Sequence, residues 1–206
     1  TVGPANATVK WTTSNSKVAT VNSSGKVTAK KAGTATITAT GSNGKKATCK
    51  VTVVSLSKTK YTLGVKEKYT LKVNGTKKKV TWKSSSKNVS VSGGKVTAKK
   101  KGSATISATV EGVTLKCKVT VKAAPSKLIL KSKKKVTIKK NKTTQIKVNL
   151  PKNTAGELKY KSSKTKIATV DAKGKVKGKK KGTAKITVYA VNNSKKAKAT
   201  VTVTVK

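Results

Sequence analysis

The sequence predicts an all-β chain made of tandem antiparallel β-sandwiches, with about seven strands in each complete module. Three observations predict this fold class. A string of sixteen residues recurs three times, apolar residues alternate with Thr, Ser and Lys inside each copy, and turns rich in Gly, Asn and Ser separate the alternating runs. Alternation with a period of two is typical of half-buried strands, and no stretch has a helical period.

The recurring string sets the length of the module. It reads GKVTAKKAGTATITAT at residues 25–40, GKVTAKKKGSATISAT at 94–109 and GKVKGKKKGTAKITVY at 174–189. Its aligned glycines, Gly33, Gly102 and Gly182, are 69 and 80 residues apart, which is the size of a small domain and not of a solenoid repeat. We therefore predict three modules, at residues 1–54, 55–123 and 124–206.

Other landmarks keep the same register in every copy. An aromatic residue, Trp11, Trp82 or Tyr160, stands near the start of the shared region, in a strand pattern that favours core packing. The turns SSGK, SGGK and AKGK place glycine where a tight hairpin needs a positive φ. These glycine loops precede strands and not helices, so they are hairpin turns and not phosphate-binding loops.

The alternation also predicts which side chains face the core. In TATITAT, Ala35, Ile37 and Ala39 share one face and the threonines share the other. In the closing strand the core positions are expected to be Cys49, Val51 and Val53 in the first copy, Cys117, Val119 and Val121 in the second, and Ala199, Val201 and Val203 in the third. Both cysteines are expected to be small buried residues that form no disulfide.

The first module lacks the opening part of the other two. With Trp11 placed on Trp82, the segment Ser57–Leu71 has no counterpart before it. A sandwich without its opening strands exposes an apolar face and unpaired backbone groups, so we expect upstream residues of a longer chain, or else a strand from another chain, to cover it. The connectors VSLSK and KAAPSK are short, which predicts an elongated monomeric rod.

The order of these motifs resembles the bacterial immunoglobulin-like domain of group 2, a module found in tandem in surface proteins such as adhesins of the intimin and invasin type. The resemblance covers nearly the whole chain. It implies immunoglobulin-like sandwiches in an extracellular or cell-surface protein with a stalk or adhesion role. The chain departs from the family's Gly-Glu before the second strand, where it has Lys66-Glu67 and Asn141-Lys142.

The composition argues against catalysis. The chain has no His, so Ser-His-Asp and Cys-His arrangements and imidazole metal sites cannot form. Its four carboxylates, Glu67, Glu111, Glu157 and Asp171, are scattered, so neither a catalytic carboxylate pair nor a calcium cage is expected. Glu67 is expected to bind backbone amides in a turn. We expect no enzyme activity, no cofactor and no metal.

The remaining signal is charge. The 206 residues include 50 basic residues, all of them Lys, against 4 acidic ones, which gives a formal net charge of +46. Lysines cluster at one place in each copy, directly before the aligned glycine, and are expected to form a basic ridge that binds polyanions: Lys30, Lys31, Lys99, Lys100, Lys101, Lys179, Lys180 and Lys181.

Two functions fit almost equally well. The first is a stalk with an adhesive surface, binding teichoic acid or other anionic wall polymers and glycans through this ridge. The second is a passive spacer, whose lysines keep it soluble and guard its edge strands. Nucleic acid is expected to bind only non-specifically, because there is no Arg for base recognition and no exposed aromatic platform. No apolar run is long enough to span a membrane.

Overall fold

The computed structural model describes residues 8–206. Contacts between residues divide the chain into two compact units. The first extends up to Thr59 and adds Thr70–Lys83 and Ile106–Cys117, and the second comprises Lys60–Tyr69, Ser84–Thr105 and Lys118–Lys206. The predicted middle module is thus shared between the units, and the boundaries of the three modules stay a prediction.

Residues 8–53 supply five strands: β1 (Val9–Thr13), β2 (Ala19–Val21), β3 (Val27–Ala29), β4 (Gly33–Gly41) and β5 (Lys46–Val53). β4 lies between β1 and β5 in an antiparallel sheet, and β2 and β3 form a separate hairpin. Ala35 and Ile37 of β4 are buried as the alternation predicts, and Ala35 belongs to a small core with Val18 and Ala19.

Nine strands follow, several of them very short: β6 (Ser55–Leu56), β7 (Lys60–Gly64), β8 (Lys68–Thr70), β9 (Val73–Asn74), β10 (Thr81–Ser84), β11 (Val89–Ser92), β12 (Lys95–Ala98), β13 (Gly102–Val110) and β14 (Val113–Lys122). β6 pairs with β9 and β11 with β12, both antiparallel. β7 runs parallel to β14, with Leu63 opposite Val121.

The third part of the chain supplies nine more: β15 (Ile129–Leu130), β16 (Lys135–Ile138), β17 (Thr143–Gln145), β18 (Val148–Asn149), β19 (Leu158–Ser162), β20 (Ala168–Val170), β21 (Lys175–Gly178), β22 (Gly182–Ala190) and β23 (Lys198–Val205). A short 3-10 helix, Val191–Asn193, lies between β22 and β23. The sheets β16-β23-β22-β19 and β17-β21-β20 enclose a core that includes Ile146, Val176, Ile186 and Val201. The predicted all-β immunoglobulin-like sandwich is confirmed.

One pair in this sandwich is parallel. β16 runs alongside β23 in the first sheet, and the chain then crosses so that β17 pairs with β21 in the second. β16 places Ile138 opposite Val205, as β7 places Leu63 opposite Val121. The opening segment therefore contributes an apolar residue to cover the end of the closing strand in both places.

No strand among residues 8–54 takes the places of β16 and β17. The consequence is visible in β3, where Val27 is 39% exposed, whereas Val176 at the same point of the recurring string is fully buried. It is also visible in β5, where Cys49 is exposed. The prediction that Cys49 is a buried core residue was therefore wrong, because burial of this face depends on strands that the described part of the first module does not contain.

The register of the last hairpin also corrects the alignment. Gly33 lies opposite Val53, and Gly182 lies opposite Val205. The third copy therefore uses Val201, Val203 and Val205 at the places of Cys49, Val51 and Val53, and the prediction of Ala199, Val201 and Val203 was two residues out. The longer connection through the 3-10 helix causes this offset.

The two cysteines have different environments. Neither forms a disulfide, as predicted. Cys117 is fully buried, and burial raises the pKa of its thiol above the ordinary value, against a smaller lowering by the charge of Lys58. Because the thiolate is the reactive form, the two sites differ in both access and chemistry.

Candidate polyanion-binding surface

The predicted ridge lysines occupy the same place in the fold in all three copies. Each group follows a short strand, β3, β12 or β21, and leads into the long strand that begins at Gly33, Gly102 or Gly182. All eight side chains are exposed. The groups are Lys30 and Lys31, then Lys99 to Lys101, then Lys179 to Lys181; we call each group a ridge segment.

Each ridge segment has the same backbone hydrogen bonds. The first two lysines of the segment both donate their backbone N–H groups to a single carbonyl oxygen. Lys30 and Lys31 donate to Val18 at 2.8 and 3.2 Å, Lys99 and Lys100 to Asn88 at 2.8 and 3.1 Å, and Lys179 and Lys180 to Ile167 at 2.7 and 3.3 Å. The fold therefore fixes the backbone of each segment.

The glycine that ends each segment is required by its surroundings. Gly182 has a φ of 142°, and a β-carbon there would lie 2.8 Å from Cδ1 of Ile167. Gly33 has a φ of 153°, and its β-carbon would lie 2.8 Å from Cγ2 of Val18. The residue that accepts the backbone hydrogen bonds of the segment is thus the residue against which the glycine packs.

Acidic side chains do not neutralise these segments. The ion pair between Lys78 Nζ and Glu111 Oε1, at 3.7 Å, involves no ridge lysine, and both of its side chains are largely exposed. The ridge charges are therefore balanced by ions from solution, whose screening length is about 8 Å at physiological salt. Polyanions can replace such ions and release them, which favours binding.

The third ridge segment borders a cleft with additional lysines. This cleft has a volume of about 520 Å³ and is lined by Ser163, Lys164, Thr165, Lys166, Ile167, Lys180 and Lys181. The sequence reasoning did not include Lys164 and Lys166. Their signal is the string SSKTK after β19, which the β19–β20 connection brings beside the ridge. Lys166 has counterparts in Lys17 and Lys87, so the lysine that is particular to the third copy is Lys164.

This arrangement suits anions of varied shape. A lysine ammonium is a compact point charge with three rotatable donors, and it lacks the planar fork by which Arg selects bidentate partners. The cleft beside the third ridge segment adds the hydroxyl groups of Ser163 and Thr165, which can donate hydrogen bonds to an oxyanion. The surface can thus bind phosphate, sulfate or carboxylate groups with little geometric selection.

The acidic residues have structural contacts. The Glu67 carboxylate accepts a hydrogen bond from the backbone N–H of Gly64 at 2.7 Å, which confirms the predicted turn role. Asp171 accepts from the N–H groups of Lys173 and Lys175 at 2.8 and 2.9 Å. No group of three or more Cys, Asp or Glu side chains that could hold a metal ion occurs in the described part of the chain.

Residues 8–206 contain no helix with the length and apolarity needed to cross a membrane.

A comparison with curated proteins finds no match. Among solved structures, the chain is 21% identical to domains 4 and 5 of the S-layer protein SbsC, with a TM-score of 0.35, and the match covers 61% of this chain and 75% of that one.

The chain is also similar to solved structures of invasin and of an intimin fragment. The integrin-binding protein invasin is 16% identical with a TM-score of 0.27, and the match covers 98% of this chain and 52% of that one. The intimin fragment solved with the translocated intimin receptor is 20% identical with a TM-score of 0.30, and 84% and 57% of the chains are covered. The chain thus spans about half the length of both structures.

The family model described as the bacterial Ig-like domain (group 2) matches residues 1–51 and 128–201. These ranges contain the first and third copies of the recurring string, with Gly33 and Gly182. The match covers more than half of the chain, and the sandwich topology agrees with it. The chain therefore belongs to the family of bacterial Ig-like domains of group 2.

Proposed function

We propose that the chain is a non-enzymatic, monomeric stalk segment of a bacterial extracellular or cell-surface protein, and that its ridge segments bind anionic wall polymers or anionic glycans. The observation that carries the proposal is the recurrence of exposed lysines at one place in the fold. In three copies the same pair of hydrogen bonds presents them, with no carboxylate of residues 8–206 within ion-pairing distance.

The non-enzymatic part of the proposal rests on chemistry. The chain has no His, and its four carboxylates are far apart in sequence, although the Glu67 carboxylate accepts a hydrogen bond from the backbone N–H of Glu157. A catalytic lysine would need a desolvated site that lowers its pKa. The ridge lysines are instead exposed to solvent, so they are suited to electrostatic attraction and not to nucleophilic attack.

The competing proposal is a passive spacer, in which the lysines only keep the surface soluble. A pull-down of the chain by purified bacterial cell wall, wall teichoic acid and an anionic glycan distinguishes the two. The salt concentration should be about 150 mM, where screening weakens generic attraction. Adhesion predicts retention on at least one of these polymers. Complete absence of retention contradicts adhesion and favours the spacer.

Nucleic acid is the other alternative for so basic a surface. Without Arg or a stacking platform, binding to DNA should be steeply salt-dependent and independent of sequence. Retention of the wall polymer at a salt concentration that abolishes DNA binding would favour adhesion. DNA binding that persists at a salt concentration that abolishes binding to the wall polymer would favour nucleic acid.

A further inference from the structure

Glu67 connects two parts of the second unit that are far apart in sequence. It ends a tight turn between β7 and β8, in which Lys66 has a φ of 73°. Carboxylate oxygen Oε2 accepts the N–H of Gly64 and so closes the turn. Oxygen Oε1 accepts the backbone N–H of Glu157, 90 residues further along the chain. One side chain thus joins the predicted second and third modules.

Asn192 reinforces the same connection from the other side. It lies in the 3-10 helix after β22, and its side-chain Nδ2 donates to the carbonyl oxygens of Ala155 at 3.0 Å and Val65 at 3.3 Å. The neighbouring Asn193 donates to the carbonyl of Pro125 at 2.9 Å. We call this set of contacts around Glu67 and Asn192 the seam.

The seam is closely packed. A β-carbon on Gly64 would lie 2.0 Å from the carbonyl oxygen of Ala155 and 2.1 Å from Nδ2 of Asn192. Contacts this short cannot be relieved by a small shift of a flexible side chain, because one of the partners is backbone. The glycine therefore permits a backbone-to-backbone approach that resists bending at this joint.

One side of the seam adjoins a ridge segment, and the other side is connected to a ridge segment by one strand. Lys66 donates its N–H to the carbonyl of Ala98 at 2.8 Å, and Ala98 donates back to Glu67 at 2.9 Å. Ala98 immediately precedes Lys99. On the other side, Val191 donates to the carbonyl of Glu157 at 2.9 Å. Val191 directly follows β22, so the nine residues of this strand, about 30 Å of extended backbone, connect the seam to Lys181 at the other end.

The turn itself does not require an acid. The corresponding turn in the third part has Asn141 and Lys142 at the places of Lys66 and Glu67, and it makes the same backbone pair with Gly178, at 2.9 and 3.1 Å. Asn141 has a φ of 64°, close to that of Lys66. Since the side chain of Lys142 cannot accept a hydrogen bond, the carboxylate of Glu67 serves the seam and not merely the turn.

We propose that Glu67 and Asn192 are positioning residues that hold Lys99–Lys101 and Lys179–Lys181 as one bivalent surface for a polyanion long enough to contact both. The inference rests on the proposed polyanion binding. When two sites are held in a fixed arrangement, binding at the second is intramolecular, so a long ligand gains affinity that a short one cannot. A joint that bends freely loses part of this gain.

The test compares long-chain inorganic polyphosphate with inorganic tripolyphosphate, which share their chemistry and differ in reach. Affinities of the full chain are measured at about 150 mM salt. The seam variants are Glu67→Gln, which keeps the size of the side chain but replaces an accepting oxygen with a donor, and Asn192→Ala. The control is Glu111→Gln, which makes the same charge change at the exposed ion pair with Lys78.

We expect the wild type to bind the long chain about 10- to 100-fold more tightly than tripolyphosphate. Both seam variants should lose most of that ratio while tripolyphosphate affinity is unchanged, and unchanged affinity for the short ligand also shows that the ridge segments remain folded. Glu111→Gln should keep the ratio.

The two possible failures are distinguishable. If the wild type binds neither ligand, the proposed function is wrong and the role of the seam falls with it. If the wild type prefers the long chain and the seam variants keep that preference, polyanion binding stands and the role of the seam is wrong. Equal losses for both ligands in the seam variants would also overturn it, since that result indicates general destabilisation.

Discussion

The ring of Tyr160 lies against Gly174, so closely that a β-carbon on the glycine would stand 2.8 Å from Cζ of the ring. Trp11 covers Gly25 in the same way, with a distance of 2.7 Å to Cζ2 of the indole. Both glycines have a φ near 80°, at 82° and 78°. The aromatic residue and the turn glycine, which the sequence shows as separate landmarks, therefore form one contact.

This contact predicts a large effect of Gly174→Ala. The substitution combines the cost of a positive φ for alanine, about 1 kcal/mol, with overpacking against Tyr160, about 1–3 kcal/mol more. Gly112→Ala is the control, because Gly112 has a φ of 79° but no atom within 4 Å of its β-carbon position. Amide hydrogen exchange near each site measures the local free energy of opening. Equal decreases in the free energy of opening for Gly174→Ala and Gly112→Ala would contradict the packing argument.

The cysteines should differ sharply in reactivity. In the native chain at neutral pH, Cys49 should react with a thiol reagent like an ordinary exposed cysteine, whereas Cys117 should be at least about 100-fold slower because it must wait for opening of the structure. Both should react at once in denaturant. Cys49→Ser should remove the fast phase and leave the slow one. Two native thiols that react at similar rates would show that the closing strands do not differ in burial.

Asp171 should titrate below its ordinary pKa of 3.8, because the N–H of Lys175 donates to it, with a further hydrogen bond from Lys173 and their charges, against some desolvation. A pKa that is lowered on folding means that the stabilisation is present above the unfolded value and is lost as pH falls through the folded one. NMR titration of the carboxyl measures this. A pKa at or above the ordinary value would contradict it.

Asp171→Asn provides the matched control, because Asn22 makes the equivalent turn by accepting the N–H groups of Ser24 and Lys26 at 3.2 and 2.8 Å. The variant should keep the turn, and the stability of the turn should no longer fall as the pH is lowered through the pKa of Asp171. Burial raises the pKa of Tyr160, and the negative charge of Asp171 raises it further. The tyrosine should therefore titrate at lower pH in the variant.

Local pattern predicted most of the fold. The alternation in β4 predicted the burial of Ala35 and Ile37, and the aligned glycines predicted where the ridge segments lie. Burial of Cys49 was mispredicted because it depends on a neighbouring strand and not on alternation within β5. The place of Ala199 was mispredicted because the 3-10 helix lengthens the last connection.

The contacts of the seam could not be predicted from local sequence patterns. The bond from Glu157 to Glu67 joins residues 90 positions apart, and neither lies in a motif that predicts a partner for the other. The lysines Lys164 and Lys166, which line the cleft beside the third ridge segment, were missed for a related reason. They belong to a different connection from the ridge, and only the fold brings the two together.

The central claim is that polyanion binding depends on where the lysines lie and not only on how many there are. It is tested by two variants of equal charge, each with eight Lys→Gln substitutions. One changes the ridge residues, Lys30, Lys31, Lys99, Lys100, Lys101, Lys179, Lys180 and Lys181. The other changes exposed lysines elsewhere, Lys45, Lys46, Lys72, Lys77, Lys79, Lys152, Lys159 and Lys198.

The most direct measurement is the affinity of both variants for wall teichoic acid at about 150 mM salt, where long-range attraction is screened. We predict that the ridge variant loses binding by about 10-fold or more while the control variant binds within about 3-fold of the wild type, since each lost short-range contact is worth more than distant charge. Equal losses in the two variants would contradict the account, because net charge alone would then explain the binding.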